Sequence, residues 1–447
     1  MGMKFQIRNA CWLGDDAWFH HGTISIANGR IMKLESDFAS DTPSAGEFIV
    51  PGLIDAHVHL REPGQPYKEG IANGTLAALK GGVTTVLNMP NNVPPTASLA
   101  RLEAKRALFA QKSRVNYGLF LQARIGGPRA PESAAGVKIY MAKSSALAAV
   151  RDPAALAQIF RLQNRVVVHA EDEREFSTGW KKSFHRVEKT GEIFHSVEKS
   201  FPPCGKLPHH LRRPRAAVVA ALQSIATAWR RVPPKERPRL VIAHCSTVEE
   251  IDWVRKMKRQ GHDVWAETCP HYFLFTEQDD RARGPALQVN PPLRTEEDRA
   301  AVFAAVQDGG IDFISTDHAP HLPKEKAADS PPSGIAGLEW FGPVLLTLTM
   351  RGEISWQRYL KLAGQKAAQC YGIEGRGLVR EGAWADLAIV ANKPPAAAQE
   401  KIVTRAAVHP YPQFEFAVGI RATLVNGRLA WTDGRVRPGV HGREVYG

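Results

Sequence analysis

No stretch of 18 apolar residues occurs in the 447-residue chain, and its beginning lacks the charged, apolar and small-residue succession that directs export. Neither a membrane span nor secretion is therefore expected. Cysteine is scarce. Cys11, Cys204, Cys245, Cys269 and Cys370 are odd in number and scattered, and no two form a C-x-x-C pair. That argues against a disulfide framework or a zinc finger and fits reduced thiols in a cytoplasmic protein. Nucleic-acid-binding motifs are also missing, although the formal net charge is +13. The basic residues are spread out, the densest group being Leu211-Arg212-Arg213-Pro214-Arg215. A surface that favours small anions accounts for the charge better than a nucleic-acid partner does.

What is present is an ordinary globular composition, 44% apolar and 23% charged, at a length that suits one large α/β barrel with an appendage. Both ends look β-rich. "GTISIANGRIMKLES" near the start and "ATLVNGRLAWTDGRV" near the end are short strands about Asn28-Gly29, Asn426-Gly427 and Asp433-Gly434. The two ends are expected to pack together as one small β-domain, formed by residues 1–50 and 377–447.

Residues 51–376 have a different rhythm. Apolar strands are predicted at 52–59, 83–89, 115–121, 136–141, 165–170, 239–245, 263–269 and 311–317, with helical stretches such as 99–112 and 296–309 between them. Eight such strands in βα alternation predict a (β/α)8 barrel. One segment breaks the alternation. Residues 174–213 are an insertion with a near-duplication, "FHRVEK" then "FHSVEK". It reads as a surface excursion, with a lid over the barrel mouth as the sharper alternative.

The chemistry-bearing residues gather at the strand ends. His57 and His59 lie two apart at the end of the first strand, so both rings project to one face. Lys138 sits between Val137 and Ile139 in the fourth strand, where a charged amine is costly. A neutral amine there could take up carbon dioxide to form a carbamate, an anionic oxygen ligand able to bridge two metals. His169, His244 and Asp317 close the fifth, sixth and eighth strands. Singly, each has a dull explanation as a core histidine or a cap. Together at the C-terminal end of the barrel, where active sites of this fold lie, they point to a two-metal site. Imidazole and carboxylate ligands suit zinc first, with manganese or cobalt also able to occupy such a site.

"GLIDAHVHLREPG", "GVKIYM", "VVVHAEDE", "LVIAHCST" and "FISTDHAPH" together resemble the amidohydrolase superfamily and, within it, the dihydroorotases. "GLVREGAWADLAIV" is similar to the point where that family's chain re-enters its small β-domain. The resemblance implies one divalent metal held by His57, His59 and Asp317, a second held by His169 and His244, and a carboxylated Lys138 bridging them. It implies further that Arg61, Asn91 and His321 bind the substrate's carboxylate and that Asn290 meets its ring amide. The implied reaction is the reversible cyclisation of N-carbamoyl-L-aspartate to L-dihydroorotate, through a metal-bridged hydroxide with Asp317 as acid and base. The implied partner is therefore a small anionic cyclic ureide, and a homo-oligomer is expected.

Two residues or motifs depart from the pattern. Asn92 stands where threonine or an apolar residue is expected, which matters little if Asn91 is the contact. "ETCPHYFLF" in the seventh strand is closer to an allantoinase or hydantoinase, which keeps those activities as an alternative. A non-catalytic homologue acting as a scaffold is the alternative of another class.

Overall fold

The computed structural model describes residues 4–144, 148–176, 208–392 and 401–446. The central part of the 174–213 insertion, including the near-duplication, lies outside the described residues.

Two eight-stranded sheets organise the chain. The first four strands are β1 (Lys4–Leu13), β2 (Phe19–Ala27), β3 (Arg30–Ser40) and β4 (Glu47–Pro51). They join β13 (Leu387–Ala391), β14 (Gly419–Val425), β15 (Arg428–Thr432) and β16 (Arg435–Val436) from the far end of the chain. The order is β16-β15-β14-β13-β4-β1-β2-β3, and the seam between the termini is the antiparallel pairing of β4 with β13. The hairpins turn where the sequence predicts. Asn28-Gly29, Asn426-Gly427 and Asp433-Gly434 all have positive φ at both residues, the backbone that a tight two-residue hairpin requires.

The second sheet is the barrel. It comprises β5 (Leu53–Val58), β6 (Val83–Asn88), β7 (Asn116–Gln122), β8 (Gly136–Tyr140), β9 (Arg165–His169), β10 (Arg239–Ile242), β11 (Val264–Thr268) and β12 (Phe313–Ile314). Every neighbouring pair is parallel. The ring closes by a bridge between Val58 and His318, where the His59 amide donates to the His318 carbonyl at 2.8 Å. The eighth strand is shorter than expected, because Thr316 instead turns its amide and hydroxyl onto the buried Asp55 carboxylate.

Alternation explains what the barrel strands bury. In β8, Val137 and Ile139 join the large cluster beneath the outer helices, so Lys138 faces the barrel interior with Val167 of β9 and Val241 of β10. Helices between the strands are capped by their own sequence. Ser98 caps the helix Leu99–Lys112, and Thr247 with Glu250 forms a capping box on Val248–Arg259.

Cys11, Cys245, Cys269 and Cys370 are buried free thiols, and Cys204 lies outside the described residues. Among the described residues no helix is long and apolar enough to cross a membrane. The Arg212–Arg215 group is not an open basic patch: Arg213 pairs with Glu171, and Arg215 with Glu249 and Asp298.

Candidate active site

At the C-terminal mouth of the barrel, a cavity of about 530 Å³ is lined by His57, His59, Arg61, Asn91, His169, His244, Asn290, Asp317 and His321. Lys138 lies beneath it, completely buried. All ten sequence-predicted residues are therefore brought to one place, from loops and strands up to 264 positions apart (57 to 321).

His57, His59 and Asp317 each offer a ligand atom, and the three atoms fall within 4.8 Å of one another. Asp317 Oδ1 lies 2.9 Å from His59 Nε2 and 3.5 Å from His57 Nε2. His169 Nδ1 and His244 Nε2 converge at 3.1 Å. Burial pushes His57 down to about 3 and His59 down to about 4. Burial would raise Asp317, but the neighbouring His57 and His59 hold its carboxyl well below the usual range. Neutral imidazoles beside an ionised carboxylate are the protonation states that a metal ion needs in its ligands.

The outer hydrogen bonds orient these rings. His57 Nδ1 lies 2.7 Å from Glu267 Oε1, and His59 Nδ1 lies 2.6 Å from Asn91 Oδ1. Each contact occupies one ring nitrogen and leaves Nε2 facing Asp317. His169 is held from its other side, its Nε2 being 3.2 Å from both Glu171 Oε2 and Arg213. Lys138 is the exception. Its Nζ has no hydrogen-bond partner, and burial pushes the amine down to about 8. A completely buried, unpartnered amine among these groups is an incomplete arrangement.

Arg61 and His321 also meet, the guanidinium lying 3.0 Å from His321 Nε2. Lys68 reaches the other ring nitrogen at 3.3 Å. Asn290 is steadied by His209, whose Nε2 lies 2.9 Å from Asn290 Oδ1. Arg61, His244 and Asp317 all have φ between 43° and 62°, a conformation uncommon outside glycine that clusters at functional sites.

Sequence reasoning missed three features. Strand seven supplies Glu267, and burial pushes this acid up to about 8. The cost of burying a charge that singled out Lys138 applies equally to an acid in "VWAETC". The C-terminal end of the 174–213 insertion is more than a surface excursion, because Arg213 lines the cavity and His209 braces Asn290. Asn92 is also buried and bonded on both sides, so its identity does matter. No pattern in the sequence shows which partners the last two meet, since each partner belongs to a different element of the chain.

Residues 48–430 match the amidohydrolase family, and the chain belongs to that family. Its members are metal-dependent hydrolases, and the His57, His59 and Asp317 cluster is in keeping with this. Among named relatives, the chain is 32% identical to the dihydroorotase of Endomicrobium trichonymphae, over 92% of this chain and 95% of that one. It is 29% identical to a dihydroorotase of Bacillus cereus (strain B4264), over 96% and 98%. Two solved structures share the fold. The L-hydantoinase (dihydropyrimidinase) of Arthrobacter aurescens has a TM-score of 0.80 at 23% identity, covering 97% of both chains. The dihydropyrimidinase of Brevibacillus agri NCHU1002 has a TM-score of 0.81 at 19% identity, covering 99% and 98%.

Proposed function

We propose that this protein is a dihydroorotase that interconverts L-dihydroorotate and N-carbamoyl-L-aspartate. The observation that carries the reading is Arg61. Arg61 lines the cavity together with His59 and Asn91, and its guanidinium lies against His321, so a substrate carboxylate entering there can be gripped from several sides. The dihydroorotase relatives support the same choice.

Two divalent ions fit the donor set: His57, His59 and Asp317 would hold one, and His169 and His244 the other. A carbamate on Lys138 would serve both, and zinc suits this mixture of imidazole and carboxylate. Bound there, the ions would supply a water of lowered pKa and a polarised carbonyl.

The chain's own residues do the rest. Arg61, Asn91 and His321 bind the carboxylate and orient the ring, while Asn290 meets the ring amide. Water adds to the ring carbonyl carbon, and the carbon–nitrogen bond breaks. Asp317 takes one proton from the attacking water and delivers it to the departing ring nitrogen, giving a ureido group and a new carboxyl group whose remaining proton is released to solvent. Ring closure runs the same transfers backwards.

Residues 1–50 and 377–447 are proposed as the small β-domain and 51–376 as the hydrolase barrel, in a cytoplasmic homo-oligomer. A small-molecule substrate, with neither nucleic acid nor membrane as partner, completes the reading.

The test is the rate of L-dihydroorotate opening, followed by ultraviolet absorbance, with allantoin and hydantoin assayed alongside. Dihydroorotate turnover that Arg61→Met abolishes is the expected result. Turnover of allantoin or hydantoin alone would replace this reading with theirs. Turnover of none by metal-loaded protein would favour a scaffold.

A further inference from the structure

Lys105 is completely buried in the middle of the helix Leu99–Lys112, which is rare for a lysine without a carboxylate partner. Its Nζ donates instead to two oxygens of one loop, the Met89 carbonyl and Asn92 Oδ1, both at 2.8 Å. That loop follows β6 and carries Asn91. Asn92, itself 5% exposed, uses its other polar atom on a different loop, where Nδ2 donates to the Pro63 carbonyl at 3.2 Å. Pro63 belongs to the loop after β5, which carries Arg61.

One further contact joins the same two loops, and two others anchor the Arg61 loop. The Gly64 backbone lies against Val93 so closely that a Cβ there would stand 1.8 Å from the Val93 carbonyl oxygen. Lys112 stands seven residues and about two turns beyond Lys105, hence on the same side of the helix, and pairs with Glu62 of the Arg61 loop. Glu62 Oε2 in turn accepts from the Ile71 amide at 3.0 Å. One helix therefore grips both loops, and Asn92 is a second hydrogen-bonded link between them, beside the contact of His59 with Asn91.

We infer that Asn92 and Lys105 are positioning residues that lock the Asn91 loop to the Arg61 loop, setting the gap into which the substrate carboxylate fits. This rests on the reading that Arg61 and Asn91 bind that carboxylate. Neither Asn92 nor Lys105 lines the cavity. They act through the residues beside them, so they bear on substrate binding while Asp317 performs the proton transfers unaided by them.

The experiment compares the metal-loaded parent with Asn92→Ala, Asn92→Asp and Lys105→Met. Asn92→Asp is the discriminating variant, because it keeps an oxygen for Lys105 and loses the donor to Pro63. Losing one such bond corresponds to about a tenfold change. All three variants are expected to raise KM for dihydroorotate by about tenfold, with kcat within about twofold and metal content equal to the parent's. Amide hydrogen exchange should quicken in both 61–65 and 89–93. Unchanged KM in Asn92→Asp, or faster exchange confined to 89–93, overturns the coupling. A fall in kcat together with loss of metal would assign these residues to the ligand scaffold instead, which also overturns it. Lys105→Met acts from the helix side, so the loops remain open to test if an Asn92 variant fails to fold. Should the parent open no dihydroorotate at all, the substrate reading fails by itself, while the exchange pattern still decides whether the loops are coupled.

Discussion

Asp317 shows how several weak features make one strong one. Burial opposes its charge, but the neighbouring His57 and His59 keep the carboxylate ionised where it lines the cavity, on a backbone of positive φ. Replacing it with asparagine keeps the shape but removes the proton acceptor. Asp317→Asn is expected to lower kcat by about a thousandfold or more while the protein still binds orotate, as titration calorimetry would show. Retained turnover would remove Asp317 from the proton-transfer role. Lys138 makes a different demand, since its nitrogen has no hydrogen-bond partner among the described residues. Lys138→Ala is expected to lose bound metal along with activity. Two full equivalents of metal by elemental analysis would show that no bridge from position 138 is needed. Glu267 and Asn91 give the residue-scale lesson for reading sequences. A ligand histidine can be suspected from its spacing, whereas the group holding its second nitrogen comes from another strand or from the loop after one, 210 positions away for Glu267.

At the scale of the element, the helix Leu99–Lys112 carries a buried amine whose titration the fold itself determines. Burial pushes Lys105 down to about 7, against about 10.4 for a solvated lysine. Between those values the unfolded chain holds a proton that the folded chain lacks, so stability rises with pH across that window. Below about pH 7 both states are protonated and the cost of the buried charge is fully present. Urea unfolding at pH 6, 8 and 9.5 should show the parent gaining on Lys105→Met, with a slope approaching 1.4 kcal/mol per pH unit between the two pKa values. A difference independent of pH would mean that the buried amine keeps its ordinary pKa. The strands teach something else. Seven of the eight barrel strands were legible to within a few residues because apolar runs bounded by turns are a local signal. The eighth ran short, because Asp55, 261 positions away, captures Thr316 and ends the pairing.

At the scale of the molecule, the barrel and the terminal sheet share a buried polar knot. Asp386 of the segment before β13 pairs with the buried Arg376 and accepts from Asn116 Nδ2 of β7 at 3.1 Å. It also accepts from the Asn426 amide at 2.7 Å, at the β14–β15 turn. Asn426 closes the ring on Asn116 Oδ1 at 2.8 Å. Asp386→Ala would leave the Arg376 guanidinium buried without its carboxylate, a loss of about 3–5 kcal/mol. A lowered urea midpoint with an unchanged m-value would be the sign of it. An unchanged midpoint would show that the joint does not depend on this ion pair.

The sequence by itself determined the βα alternation, the β-rich ends, the hairpin turns and the set of strand-end histidines, lysine and aspartate. All of these are periodicities or short motifs, properties of neighbouring residues. The tertiary structure alone decided that Glu267 orients His57, that Arg213 and His209 come from the insertion to the cavity, and that Asn92 ties two loops together. A buried polar group must find its partner wherever the fold brings one close, here across 13 residues of chain for Asn92 and Lys105 and across 210 for His57 and Glu267.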